Sequence, residues 1–130
     1  MTPDAADAIA RNLRARFTWE SDGLIDSYHV MPATGQVRGD CDDYAATMLA
    51  ELTGRSWVRF WWWLVTFKAC FWLVTSPRGE AHITLWVRGL GYTDNWRTGF
   101  SKVEDLHKRR YPLPWPSVAL KLLIGMVDRT

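Results

Sequence analysis

Three residues of this chain can do nucleophilic chemistry together. Cys41 lies in Gly39-Asp40-Cys41-Asp42-Asp43-Tyr44-Ala45, His82 follows Ala81 further along, and Asp94 stands in Thr93-Asp94-Asn95. They supply a thiol, an imidazole and a carboxylate in that order. A thiol attacks a carbonyl carbon well only as the thiolate, so it needs a base within hydrogen-bond reach. The base in turn needs a group that holds it in one tautomer. Cys41 is the candidate nucleophile, His82 the base and Asp94 the orienting acid.

The elements that must position them are legible. Gly39-Asp40 reads as the end of a loop, and residues 42–52 as a helix with Tyr44, Met48 and Leu52 along one apolar stripe. Cys41 is thereby expected at a helix N-terminus, where unpaired amides and the positive end of the dipole favour a thiolate and can hold an oxyanion. Asp40, Asp42 and Asp43 act in the opposite direction, since negative charge beside sulfur raises its pKa. A cation would resolve the conflict. Residues 81–87 alternate and are β-prone, Arg88-Gly89-Leu90-Gly91 supplies turn residues, and 92–96 can return as an antiparallel strand. An odd loop, such as one of three residues with Gly91 in a left-handed conformation, puts His82 and Asp94 on one face; an even loop separates them.

These motifs resemble those of the bacterial transglutaminase-like cysteine peptidases, in which the nucleophile lies in a Gly-Asp-Cys-acidic-Asp-Tyr-Ala signature and the Asp precedes an Asn. The resemblance covers residues 8–97 and extends to Ile9 to Trp19, Asp22, Asp26-Ser27-Tyr28 and Pro32. It implies an α+β, papain/transglutaminase-like fold, with the nucleophile's helix packed on a small antiparallel sheet carrying His82 and Asp94. It implies thiol-dependent cleavage of peptide or amide bonds through a Cys41-His82-Asp94 triad and an acyl-enzyme; an amine in place of water would make a transglutaminase. An aromatic residue before the proline helps shape the family's oxyanion site. Tyr28 is the nearest equivalent here, with Gln36 and Trp19 as rivals. Some relatives bind calcium near the nucleophile. Asp40, Asp42 and Asp43 could offer hard oxygen ligands, yet three neighbouring carboxylates do not fill six or more positions, and helix capping is the plainer reading. No cofactor is required by the thiol chemistry itself.

The 130 residues suit one domain spanning 1–130, with a Pro-rich and apolar segment appended at 111–130. The net charge of +2 names no partner, and His107-Lys108-Arg109-Arg110 reads as a solvated loop rather than a nucleic-acid site. His29 and His107 are read as surface residues away from the nucleophile. No His-x-x-x-His, Cys-x-x-Cys or Gly-rich phosphate loop supports a zinc enzyme or nucleotide binding. Acidic residues stand near the N-terminus where a signal peptide would carry basic ones, so synthesis in the cytoplasm is expected.

Nine Trp are more than a core of this size requires. The run from Trp61 to Val74 reads as a long buried helix leading to a central strand, with Cys70 as a buried hydrophobe. Arg59 and Lys68 interrupt it, and it is too short to span a bilayer. Surplus indoles suit sugar rings, headgroup zones and protein interfaces. Tyr111 to Pro116 is expected to be extended, and Ser117 to cap an apolar segment over 118–127 that packs back or is held by a partner. A short, Trp-rich chain of this family resembles those that phages carry. That implies virion association, cleavage of peptidoglycan peptides, and tail-protein partners held by the Trp-rich surface and C-terminal segment. The competing class is a non-catalytic assembly module of a tail tip that keeps the fold.

Overall fold

The computed structural model describes residues 2–19, 30, 35–96, 99–102 and 107–128. The chain begins with helix α1 (Pro3–Arg16), whose first turn is capped by the Thr2 hydroxyl accepting from the Ala5 N–H at 3.2 Å. Pro3 sits where its missing N–H costs nothing. Ala6, Ala10 and Leu13 recur along one face and bury against helix α2 (Cys41–Leu52), which forms the centre of the molecule. Between them, strands β1 (Phe17–Trp19) and β2 (Val37–Gly39) make a short parallel pair. Tyr44, Met48 and Leu52 are all buried, as their spacing predicts. So are Ala45, Ala46, Thr47, Leu49 and Ala50 between them, because α2 is enclosed by α1, by the following helix and by the sheet.

That sheet is antiparallel, with strand order β5-β4-β3-β6, built from β3 (Ala69–Thr75), β4 (Ala81–Val87), β5 (Gly91–Thr93) and β6 (Lys108–Leu113). The chain is therefore mixed α+β, as expected. Alternation along β4 turns Ile83, Leu85 and Val87 into the core shared with α2, while His82 and Thr84 take the other face.

The hairpin register carries the site. Val87 pairs with Gly91 and Leu85 with Thr93, so Arg88, Gly89 and Leu90 form an odd loop. Thr84 and Asp94 then fall on one face, and the Thr84 hydroxyl donates to Asp94 Oδ2 at 2.9 Å. His82, two residues along, shares that face. Gly91 is not in the loop: it opens β5 at φ 103°, and a Cβ there would collide with the Ser101 carbonyl, which pairs with Tyr92.

Three local expectations need correction. The run from Trp61 is not one long buried helix. Helix α3 (Trp57–Val65) starts earlier, capped by Ser56, and stops where the Thr66 hydroxyl bonds the Trp62 carbonyl at 2.6 Å. It buries Phe60 and Leu64 but leaves Trp57, Val58 and Trp62 exposed. The β-prone residues after it go into β3, the central strand, where Cys70 is buried as expected. Second, Lys108 to Arg110 are not a solvated loop but the start of β6, where Arg109 lies over the rings of Trp72 and Tyr92 and donates to the Tyr92 hydroxyl at 2.8 Å. Its edge position admits Pro112. Third, helix α4 (Trp115–Asp128) begins before Ser117, because Pro116 in a first turn gives up an N–H that has no helical partner. Val118 and Leu122 pack it back on the core, and Leu120 and Leu123 stay exposed. Among the described residues, no helix is long and apolar enough to cross a membrane.

Gly91→Ala is expected to destabilise the domain by on the order of 2 kcal/mol, from the positive φ and the blocked approach of Ser101. A lowered urea midpoint at unchanged slope would be the signature; an unchanged midpoint would contradict the register described here.

Candidate functional site

The N-terminus of α2 is built by a reciprocal cap. Asp40 Oδ1 accepts from the N–H groups of Asp42 and Asp43 at 3.1 and 3.2 Å, and the Asp43 carboxylate accepts from the Asp40 N–H at 3.3 Å. Gly39 is needed for this closure, since a Cβ there would lie 2.6 Å from Asp43 Oδ2. The Gly-Asp-Cys-Asp-Asp run is thus intelligible as a helix start. Asp40 and Asp43 are engaged as caps.

Cys41 occupies the first helical turn and is half-buried. Its sulfur accepts from the Ile83 N–H on β4 at 3.4 Å, and its S–H donates to Asp42 Oδ1 at 3.5 Å. Burial pushes the thiol's pKa far above the ordinary range, and the Asp42 and Asp40 carboxylates add to that; the Ile83 N–H works against it. The helix terminus does not prevail over burial and the two acids. In this conformation Cys41 rests as a neutral thiol.

Cys41 and His82 line one groove of about 720 Å³, together with Arg14, Trp19, Arg78 and Trp96. The buried His82 turns Nε2 toward Asp94 Oδ2 at 3.5 Å. Asp94 has no solvent exposure. Besides Thr84, the backbone N–H of Trp96 donates to its Oδ1 at 2.9 Å, and His107 Nε2 lies 3.1 Å from its Oδ2. The candidate base and acid are therefore brought together, on the groove that also holds the candidate nucleophile. Of the oxyanion candidates, Trp19 lines the groove and Gln36 is exposed beside β2, not among its described lining. Tyr28, like His29, lies outside the described residues.

His107 is the residue that sequence reasoning missed. Expected on the surface, it is buried against Asp94, and its ring centroid lies 4.6 Å from that of His82 and 5.2 Å from that of Trp96. Its neighbours Lys108, Arg109 and Arg110 suggested solvent, and nothing local marks the contact. Among the described residues, His82, Asp94 and His107 also form the group suited in donor type to a metal, their ligand atoms lying within 4.8 Å of one another. Hydrogen bonds from Thr84, Trp96 and His107 satisfy Asp94, while the buried Nε2 of His82 makes no hydrogen bond among the described residues. The three acids at Asp40, Asp42 and Asp43 do not form such a group.

An α+β domain with a helix-terminal thiol beside a His-Asp pair is as far as fold and site define the class. Neither the models of known families nor the curated proteins match this chain.

Two outcomes follow from the electrostatics. Asp42→Asn removes the larger of the two carboxylate contributions, and Cys41 alkylation by iodoacetamide at pH 8 should accelerate by roughly three- to tenfold, since each pKa unit is about tenfold in thiolate. Cys41, Cys70 and Tyr44 are all held protonated in the fold, their pKa values raised chiefly by burial from ordinary values of 9.0, 9.0 and 10.0. Unfolding at alkaline pH would release those protons, so stability is complete below pH 9 and falls as pH rises beyond it. Urea midpoints should decline from pH 9 upward, less steeply in Cys41→Ala.

Proposed function

We propose that this chain is a thiol hydrolase of the transglutaminase-like cysteine peptidase kind, cleaving peptide or amide bonds through an acyl-enzyme on Cys41. The observation that carries the reading is the orientation of His82. With Nε2 directed to the buried Asp94, Nδ1 is left to take the thiol proton on a groove that Cys41 also lines. In the reaction, the S–H bond turns from Asp42 to His82 Nδ1, and sulfur attacks the carbonyl carbon as the proton passes to the imidazole. The C–N bond then breaks, and His82 returns the proton to the departing amine. Water, deprotonated by His82, cleaves the thioester and restores the thiol. Asp94 stabilises the imidazolium, and the Cys41 amide at the start of α2 faces the oxyanion, with Trp19 beside it. The reaction uses no metal; Asp40, Asp42 and Asp43 serve the helix start, and a calcium ion there would act by offsetting their charge on the sulfur.

Peptidoglycan peptides are the substrate class we favour, in a virion-associated role with tail proteins docking on exposed aromatic surface. Trp57, Val58, Trp62 and Val65 on α3 form such a surface. A second reading is favoured by the resting thiol, which faces Asp42 and is held protonated. It makes the chain a non-catalytic assembly module whose interactions run through the same aromatic face.

Incubation with a peptide library that includes cell-wall stem peptides, read by mass spectrometry, separates them. Cleavage that drops about 10³-fold or more in Cys41→Ala, with a Cys41-linked acyl adduct in the unmodified protein, is the expected result. Cleavage that persists in Cys41→Ala would sink the mechanism, and absence of any cleavage would favour the assembly module.

A further inference from the structure

We propose that His107 is a positioning residue of the thiol site. It holds the Asp94 carboxylate by an Nε2–H bond, on the same oxygen that His82 Nε2 approaches at 3.5 Å. This rests on the reading of Cys41, His82 and Asp94 as a catalytic set and adds a fourth member to it.

The geometry makes His107 more than a neighbour. An orienting carboxylate works only if it is ionised and its plane is fixed, and a fully buried carboxylate stays ionised only when donors surround it. Oδ1 of Asp94 is fixed by the Trp96 N–H at 2.9 Å. Oδ2 has the Thr84 hydroxyl at 2.9 Å and His107 Nε2 at 3.1 Å, both nearer than His82 Nε2 at 3.5 Å. An ionised carboxylate can only accept, so His107 must present Nε2 as the donor, which selects its tautomer. Thr84 and His107 thus hold Oδ2 while His82 retains the looser contact, the one that can tighten when His82 takes up charge.

The same ring limits His82 itself. The His82 imidazole has His107 at 4.6 Å and Trp96 at 5.6 Å, centroid to centroid, and Trp96 and His107 meet edge-on. A flip of His82 that exchanged its two nitrogens would have to displace one of these rings. His107 therefore acts twice, through its donor on the carboxylate and through its face against the base.

His107→Leu and His107→Gln separate donor from bulk, because Gln can return an N–H at the distance of Nε2. The primary readout is the rate of Cys41 alkylation by iodoacetamide at pH 8, measured beside His82→Ala, with the urea midpoint of each variant. We expect His82→Ala and His107→Leu to slow Cys41 at least fivefold and His107→Gln to restore it to within about twofold. Equal rates in His107→Leu and the unmodified protein would overturn the proposal while leaving the thiol site intact. Equal slowing by Leu and Gln would also overturn it, since the donor would then be irrelevant. A Cys41 rate indifferent to His82→Ala would defeat the underlying thiol reading instead, and with it this role. Should His107→Leu fail to fold, proton NMR of the unmodified protein labelled with ¹⁵N-histidine decides. A downfield Nε2–H proton of His107 that moves in Asp94→Asn supports the proposal, and its absence refutes it.

Discussion

A carboxylate removed completely from water has to be surrounded by donors, and Asp94 obtains them from three separate stretches of chain. Thr84 reaches it across the β4–β5 hairpin, the Trp96 amide by a turn immediately after it, and His107 from the segment entering β6. Loss of any one would leave a desolvated charge short of a partner, a defect that costs several kcal/mol in a protein interior. The hairpin loop, the turn at Trp96 and the pairing of β6 on β3 are thereby tied to a single buried group.

At the other wall of the groove, stability and reactivity oppose each other within one helical turn. A capping carboxylate at the start of a helix contributes about 1 kcal/mol, and Asp40 does so here by accepting from two orphan amides. The same charge, with that of Asp42, discourages ionisation of the Cys41 sulfur between them. The helix dipole acts on both, favouring the caps and the thiolate alike, but burial of sulfur weighs more. A positive group brought near Asp42 would shift this balance toward the thiolate.

Much of this was legible in the sequence, for reasons that can be named. The start of α2 is written in consecutive residues, Gly39 to Tyr44, so local chemistry was sufficient there; the β4–β5 turn was marked by Arg88 to Gly91, but whether its loop is odd or even follows only from the pairing of Val87 with Gly91. The exposed indoles of α3 could not be assigned because helix and strand share one apolar run, and the boundary depends on Thr66 closing back on Trp62. His107 was out of reach for a different reason. Its neighbours Lys108 and Arg109 face water and an aromatic clamp respectively, and only the antiparallel return of β6 along β3 carries the ring to Asp94. Reading Tyr111 to Pro116 as extended holds for Pro112 in the edge strand β6 but fails at Trp115 and Pro116, because a first helical turn is a place where proline does no harm.

The loop of Arg88, Gly89 and Leu90 imposes a parity rule on the gene. Insertion or removal of one codon there would rotate every residue of β5 to the opposite face, carrying Asp94 away from Thr84 and exposing its charge to the apolar side. Changes of two codons would preserve the alternation. Length variation at this hairpin among descendants of the chain should therefore come in even steps, a pattern selection would leave in sequences whether or not any of them had been assayed.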